Sequence, residues 1–324
     1  MTDDPFAFDD VTGTAATLSA LPAALNERLA ARAVRGESPL AAAAELARRG
    51  DLRGLEALTG AAAFAAPEDL AVIGLAGGAV GADALACVAL APWLAAPSRV
   101  AAVEALGRAT LTAASYAAVS VAAERAPKPI GPLAATVLAD MTTRAAGPVR
   151  EEQKQLLSVA RQVQEGVRGV IHRQELQRRV ARGALHPIVG MLTGDDGEFL
   201  AGTLPPIDDG AREGLIAPLV TLLRAPNDAR RAQVLGLLQR RWREVAAPAL
   251  SCVARTPLKH KEPAATLAAV RALAAMGALD DLAPVVGSGT GPVRAAALAE
   301  LTKALARGAT DVDRALVDAA LRRA

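Results

Sequence analysis

Aromatic residues are scarce: four Phe, two Trp and one Tyr in 324 positions, 2% of the chain. Single-strand nucleic-acid binders stack successive bases on aromatic rings, and this chain has too few rings to do so. Cysteine is as rare. Cys87 and Cys252 each stand alone in apolar stretches, which excludes a disulfide framework and reads as small buried hydrophobes in a reducing compartment. The three histidines, His172, His186 and His260, have no Cys or His at ligand spacing, so no metal site is expected. No strand-following Gly-rich loop ends in Lys-Ser/Thr, and no nucleophile elbow is present. No cofactor and no catalytic residue are therefore expected.

Charge of one sign is also lacking overall. The net charge of +2 is too small to commit the whole chain to nucleic acid or to a membrane surface. The longest weakly charged run, Leu70 to Ala96, carries only Asp83 and is broken by Gly74, Gly77, Gly78, Gly81 and Pro92. Two buried helices with packing glycines fit it better than a membrane span. The segment Met1–Asp10 has no basic and apolar leader pattern, so a cytoplasmic protein is expected. Its Phe6 and Phe8 lie among Asp3, Asp4, Asp9 and Asp10, and it reads as an unfolded acidic tail, 1–16, or a short docking motif.

What is abundant is alanine, the best helix former, and it supplies nearly half of the 52% hydrophobic residues. An Ala-rich chain poor in aromatic and β-branched residues should be all-α, with a core made by close helix approach. A phrase recurs along it: an apolar stretch bearing proline, a turn, then an Ala-rich helix. Leu185-His-Pro187, Leu215-Ile-Ala-Pro218 and Val245-Ala-Ala-Pro248 start thirty residues apart, and Leu279 follows thirty-four later. Second helices align on a Leu in Ser98-Arg99…Leu106-Gly107, Pro148-Val-Arg150…Leu157, Arg230…Leu237, Thr266…Leu273 and Pro292-Val-Arg294…Leu301. Pro39…Leu46 and Glu68…Leu75 fit more loosely. Gly50, Gly107 and Gly277 stand where a helix C-cap belongs.

A helix pair that cannot bury its own face must stack on copies of itself. The pattern resembles the HEAT-repeat family, best over 185–307 and moderately over 37–108. That resemblance implies an irregular HEAT-like α-solenoid of stacked antiparallel helix pairs. It also implies that Arg99, Arg150, Arg230 and Arg294 form a structural ladder with turn carboxylates or carbonyls. The expected organisation is a tail 1–16, an Ala-rich helical half 17–149, a basic joint 150–183 and a second half 184–324. Residues 151–200 hold three Ala, whereas each of the three preceding fifty-residue windows holds fourteen to sixteen. Within the joint, Leu156, Val159, Val163, Val167 and Val170 form one apolar helical stripe.

Two charged regions are candidates for function. Thr193–Glu213 holds six acids against one base, with Asp195/Asp196, Glu198 and Asp208/Asp209. It is a negative loop and the least regular unit, with its second helix cut to about Glu198–Leu204. Arg224–Glu262 holds nine bases against three acids, and Arg231, Arg240, Arg241, Arg243, Lys259 and Lys261 are the candidate contact residues. Such an edge suits duplex phosphate, while basic last turns equally complement helix dipoles. Arg150–His186 adds eight bases against four acids. The expected function is a non-enzymatic interaction scaffold for a protein partner, with no membrane role. Double-stranded DNA binding along 224–261 is the alternative, and an enzyme at the loop 193–213 the third reading.

Overall fold

The structure, a computed structural model, describes residues 39–165, 170–194, 198–203, 212–225, 228–241, 264–289 and 291–307, with scattered positions between 247 and 255. The tail 1–16, Val245, Cys252 and His260 lie outside the described residues. Among the described residues every regular element is a helix. In chain order these are α1 (Pro39–Arg48), α2 (Leu52–Gly60), α3 (Pro67–Ala76), α4 (Gly78–Leu90), α5 (Ala96–Arg108), α6 (Ala113–Arg125), α7 (Ile130–Arg144) and α8 (Gly147–Gln164). There follow α9 (Val170–Ala181), α10 (Ile188–Leu192), α11 (Glu198–Ala201), α12 (Arg212–Leu222), α13 (Asp228–Arg241), α14 (Ala264–Met276), α15 (Leu279–Ser288) and α16 (Gly291–Ala306). A 3-10 turn, Ala62–Phe64, precedes α3.

Local signals account for most boundaries. Pro67, Pro97, Pro148 and Pro292 sit in the first turns of α3, α5, α8 and α16, where a missing N–H leaves no carbonyl unpaired. Gly50 and Gly277 adopt φ of 81° and 66° and close α1 and α14. Asp51 N–H reaches back to Leu46 O at 2.9 Å and Ala278 N–H to Leu273 O at 3.0 Å, the six-to-one bond of a left-handed helix cap. Gly107 is different: it lies inside α5, with Val137 of α7 against it, and the cap is Ala109 N–H on the carbonyls of Ala105 and Leu106.

The aligned leucines Leu46, Leu106, Leu237, Leu273 and Leu301 are all buried. Leu75 departs from that register and is 71% exposed. Its helix turns another face inward: Leu70, Ile73 and Gly74 are buried. A Cβ on Gly74 would stand 2.8 Å from Ala105 O of α5, so this crossing closes only without a side chain.

From α1 to α8 most helices pack against the next helix and the next but one, giving two rows. α1, α3, α5 and α7 form one row; α2, α4, α6 and α8 form the other. A third layer then covers the second row: α10 lies on α4 and α6, and α12 on α4, α2 and the 3-10 turn. The body of α4 from Ala84 to Leu90 is therefore enclosed and every residue of it is buried, which explains its apolar sequence beyond Asp83. Gly77 and Gly78, the latter at φ 55°, make the tight turn into it. Cys87 is buried in α4, and burial pushes its thiol pKa up. No helix among the described residues is long and apolar enough to cross a membrane.

Long-range bonds lock the third layer to the first two. Trp93 Nε1–H donates to Thr221 O at 3.1 Å, across 128 residues. Arg224 donates to Ala63 O, across 161 residues, and its guanidinium lies 5.2 Å from the Phe64 ring centroid. Residues on either side of the expected joint 150–183 thus touch face to face. The joint itself is two helices, α8 and α9.

Candidate interaction surface

The arginines expected to form a ladder do bind carbonyls. Arg99 Nε donates to Ala89 O at 3.0 Å, Arg150 to Thr142 O at 2.7 Å and Arg294 to Gly287 O at 3.4 Å. Each acceptor sits in the last turn of the preceding helix, where carbonyls lack intrahelical partners. In the α12–α13 pair Arg231 donates to Ala225 O at 2.8 Å, in the turn three residues past the end of α12. Its half-buried guanidinium thus holds the turn between the two helices, although sequence reasoning placed it on the contact edge.

The rest of that edge is similarly divided. Arg224 is engaged as above, and burial lowers its pKa. Arg255 is buried and donates to Ser251 O at 3.3 Å, and Arg230 also has a partner within the fold. Arg240 and Arg241 end α13, but their side chains, with Arg243, Lys259 and Lys261, lie outside the described residues. Of the acidic loop, Asp195, Asp196, Asp208 and Asp209 lie outside them too. Glu198 opens α11, a four-residue helix where the shortened one was expected. Its carboxylate pairs with Arg173 at 3.6 Å. Among the described residues no three His, Cys, Asp or Glu side chains gather as a metal site would require.

One polar constellation escaped the sequence reading. His186, just before α10, places Nε2 2.9 Å from Asp83 Oδ2 of α4. Thr112, the N-cap of α6, donates its hydroxyl to Asp83 Oδ1 at 2.9 Å. His186 Nδ1 accepts the Ile188 N–H at 3.1 Å, so the ring carries its proton on Nε2 and donates it to the carboxylate. Both imidazole nitrogens are thereby used, and the hydroxyl sits on the carboxylate and not on the ring. The arrangement cannot activate a nucleophile; it pins three helices together. A single acid in a 27-residue apolar run was the available signal, because such a charge needs partners.

A second buried acid group joins α1 to α3. Glu45 is held by Arg49 at 2.8 Å and Arg48 at 3.5 Å, and Arg48 reaches Asp69 at 3.6 Å. Asp69 is pushed up to about 6 by burial, against the pull of Arg48 and with a further push from Glu68.

α9 is a charged element with most of its surface exposed. Leu176, Val180 and Ala181 are its buried residues, and its main packing is on α11 alone, where Gln177 donates to Phe199 O at 3.1 Å. The outward line of the helix runs Ile171, Glu175, Arg178, Arg182, all exposed, with Arg179 beside it. Arg178 pairs with Glu175 at 3.5 Å. At the helix start Val170 is 73% exposed and Ile171 83%. Two large aliphatic side chains in water at one end of a helix that carries clustered arginines at the other are the composition of a contact surface. α8 supports this arm by burying Leu156, Ala160 and Val163 against α6 and α10.

Comparison with known protein families, with functionally described proteins and with solved structures finds no match for this chain.

Proposed function

We propose that the protein is a non-enzymatic, HEAT-like interaction scaffold whose α8–α9 arm receives a macromolecular partner. The observation that carries this is the exposure of Val170 and Ile171 beside Arg178, Arg179 and Arg182 on a helix held by a thin apolar stripe. The repeat reading is supported by an arginine-to-carbonyl bond at the junction of four helix pairs and by the two-row stacking of α1–α8. The third layer fills the face that an open array would leave as a groove, so contact falls to the outer arm.

The test is capture from the source cell with two full-length baits, the natural chain and the variant I171D/R178E/R179E, with and without nuclease. Proteins held by the first bait and lost by the second support the proposal. Retention of the same set by both overturns it. Retention abolished by nuclease favours the second reading, duplex DNA, for which Arg240, Arg241, Arg243, Lys259 and Lys261 are the candidate contacts.

A further inference from the structure

We infer that the occupant of the α9 surface, in the absence of a partner, is the chain's own segment Asp3–Asp10. This rests on the arm being a docking surface and adds the chemistry that it takes: a short acidic peptide with one or two aromatic side chains.

Three observations carry it. The surface is bipolar, with Val170 and Ile171 at one end of α9 and Arg178, Arg179 and Arg182 at the other. The segment has the complementary polarity, Phe6 and Phe8 followed by Asp9 and Asp10, with Asp3 and Asp4 before them. The lengths also agree. Ile171 to Arg182 spans roughly 16 Å along a helix, and Phe6 to Asp10 roughly 14 Å when extended. Phe6 against Ile171, with Phe8 one turn further along α9, then brings the Asp9–Asp10 carboxylates to the arginines.

Reach is ample. Residues 11–38 separate the segment from α1, and 28 residues can span at most about 95 Å. A 324-residue domain has a radius of gyration of only about 20 Å. Tethering makes the contact intramolecular, so it needs less affinity than a separate peptide would. A true partner must displace it and therefore carries the same chemistry.

The test uses the full chain with p-benzoylphenylalanine replacing Phe8, irradiated and mapped by mass spectrometry. Intramolecular cross-links to residues 170–182 are expected, falling at least about fivefold in R178E/R179E and restored when D9K/D10K is added to that variant. Cross-links to other residues, or a yield indifferent to the charge reversals, overturn the inference. Cross-links formed only between molecules, rising with concentration, also overturn it and make a second copy the occupant. If the segment maps elsewhere while the arm variant still loses its captured proteins, this inference fails and the docking surface stands. If the arm variant keeps them as well, both fail.

Discussion

Replacing Asp83 by Ala removes the acceptor shared by Thr112 and His186. Each hydrogen bond to a charged group contributes about 1.5–3 kcal/mol when buried. Here both side chains keep a quarter to a third of their exposure, 25% for His186 and 30% for Asp83, so water partly replaces the loss. The expected destabilisation of D83A is about 2–3 kcal/mol. Asp83→Asn behaves differently. Its amide oxygen can face the His186 Nε2–H while its NH2 group faces the Thr112 oxygen, so the geometry survives and only the charge is lost, at about 1 kcal/mol. His186 cannot answer the change by switching tautomer, since Nδ1 is occupied by the Ile188 N–H. Urea unfolding followed by circular dichroism measures these differences, and the double-mutant cycle of D83A with H186A isolates the pair. A coupling of about 1 kcal/mol or more is expected. A D83A chain within about 0.5 kcal/mol of the natural one, or strict additivity with H186A, would refute the claim that this pin joins α10 to α4 and α6.

Asp69 makes stability depend on pH. Its carboxyl is raised from 3.8 to about 6 in the folded chain, so the folded state binds the extra proton and stability falls as pH rises between those values, by at most about 3 kcal/mol. D69N should flatten that slope in urea midpoints taken across the interval; an unchanged slope would contradict the assignment. Gly74→Ala should destabilise by about 1–3 kcal/mol, since the new methyl meets the Ala105 carbonyl at 2.8 Å. Gly291→Ala, with nothing within 4 Å of its Cβ, should be neutral or slightly stabilising by thermal melting. Trp93→Phe keeps the ring but loses the bond to Thr221 O, and should cost about 1 kcal/mol in the same urea assay.

The legible part of this chain was what is local in sequence. Alanine content predicts the helices, prolines mark the starts of α5, α8 and α16, and Gly50 and Gly277 mark two ends. The shortened helix at Glu198 is visible as a gap between turn signals. Arg99, Arg150 and Arg294 keep their expected partners because donor and acceptor are ten residues apart or fewer. In α13 the neighbouring Arg231 also reaches a carbonyl, that of Ala225, which sequence alone does not distinguish from Arg230. Gly107 looks like a cap in sequence, yet close packing by Val137 explains it as well.

What periodicity could not reveal is the third layer. Asp83 with His186, Trp93 with Thr221 and Arg224 with Ala63 are joined across 103, 128 and 161 residues. A repeat pattern reports which neighbours stack, not where the array folds back on itself. Of the bases counted over 224–261, Arg224, Arg231 and Arg255 turn inward to carbonyls, while the side chains of Arg240, Arg241, Arg243, Lys259 and Lys261 lie outside the described residues. The lower charge density of α9 points outward.

The central claim, that the α9 arm is the contact surface, is tested most directly by one titration. A protein captured by the natural chain is purified and its affinity measured calorimetrically for that chain and for I171D/R178E/R179E. A loss of roughly tenfold or more, with melting temperature unchanged, is predicted from the removal of one apolar anchor and two charges. Equal affinity for the two chains would contradict the account.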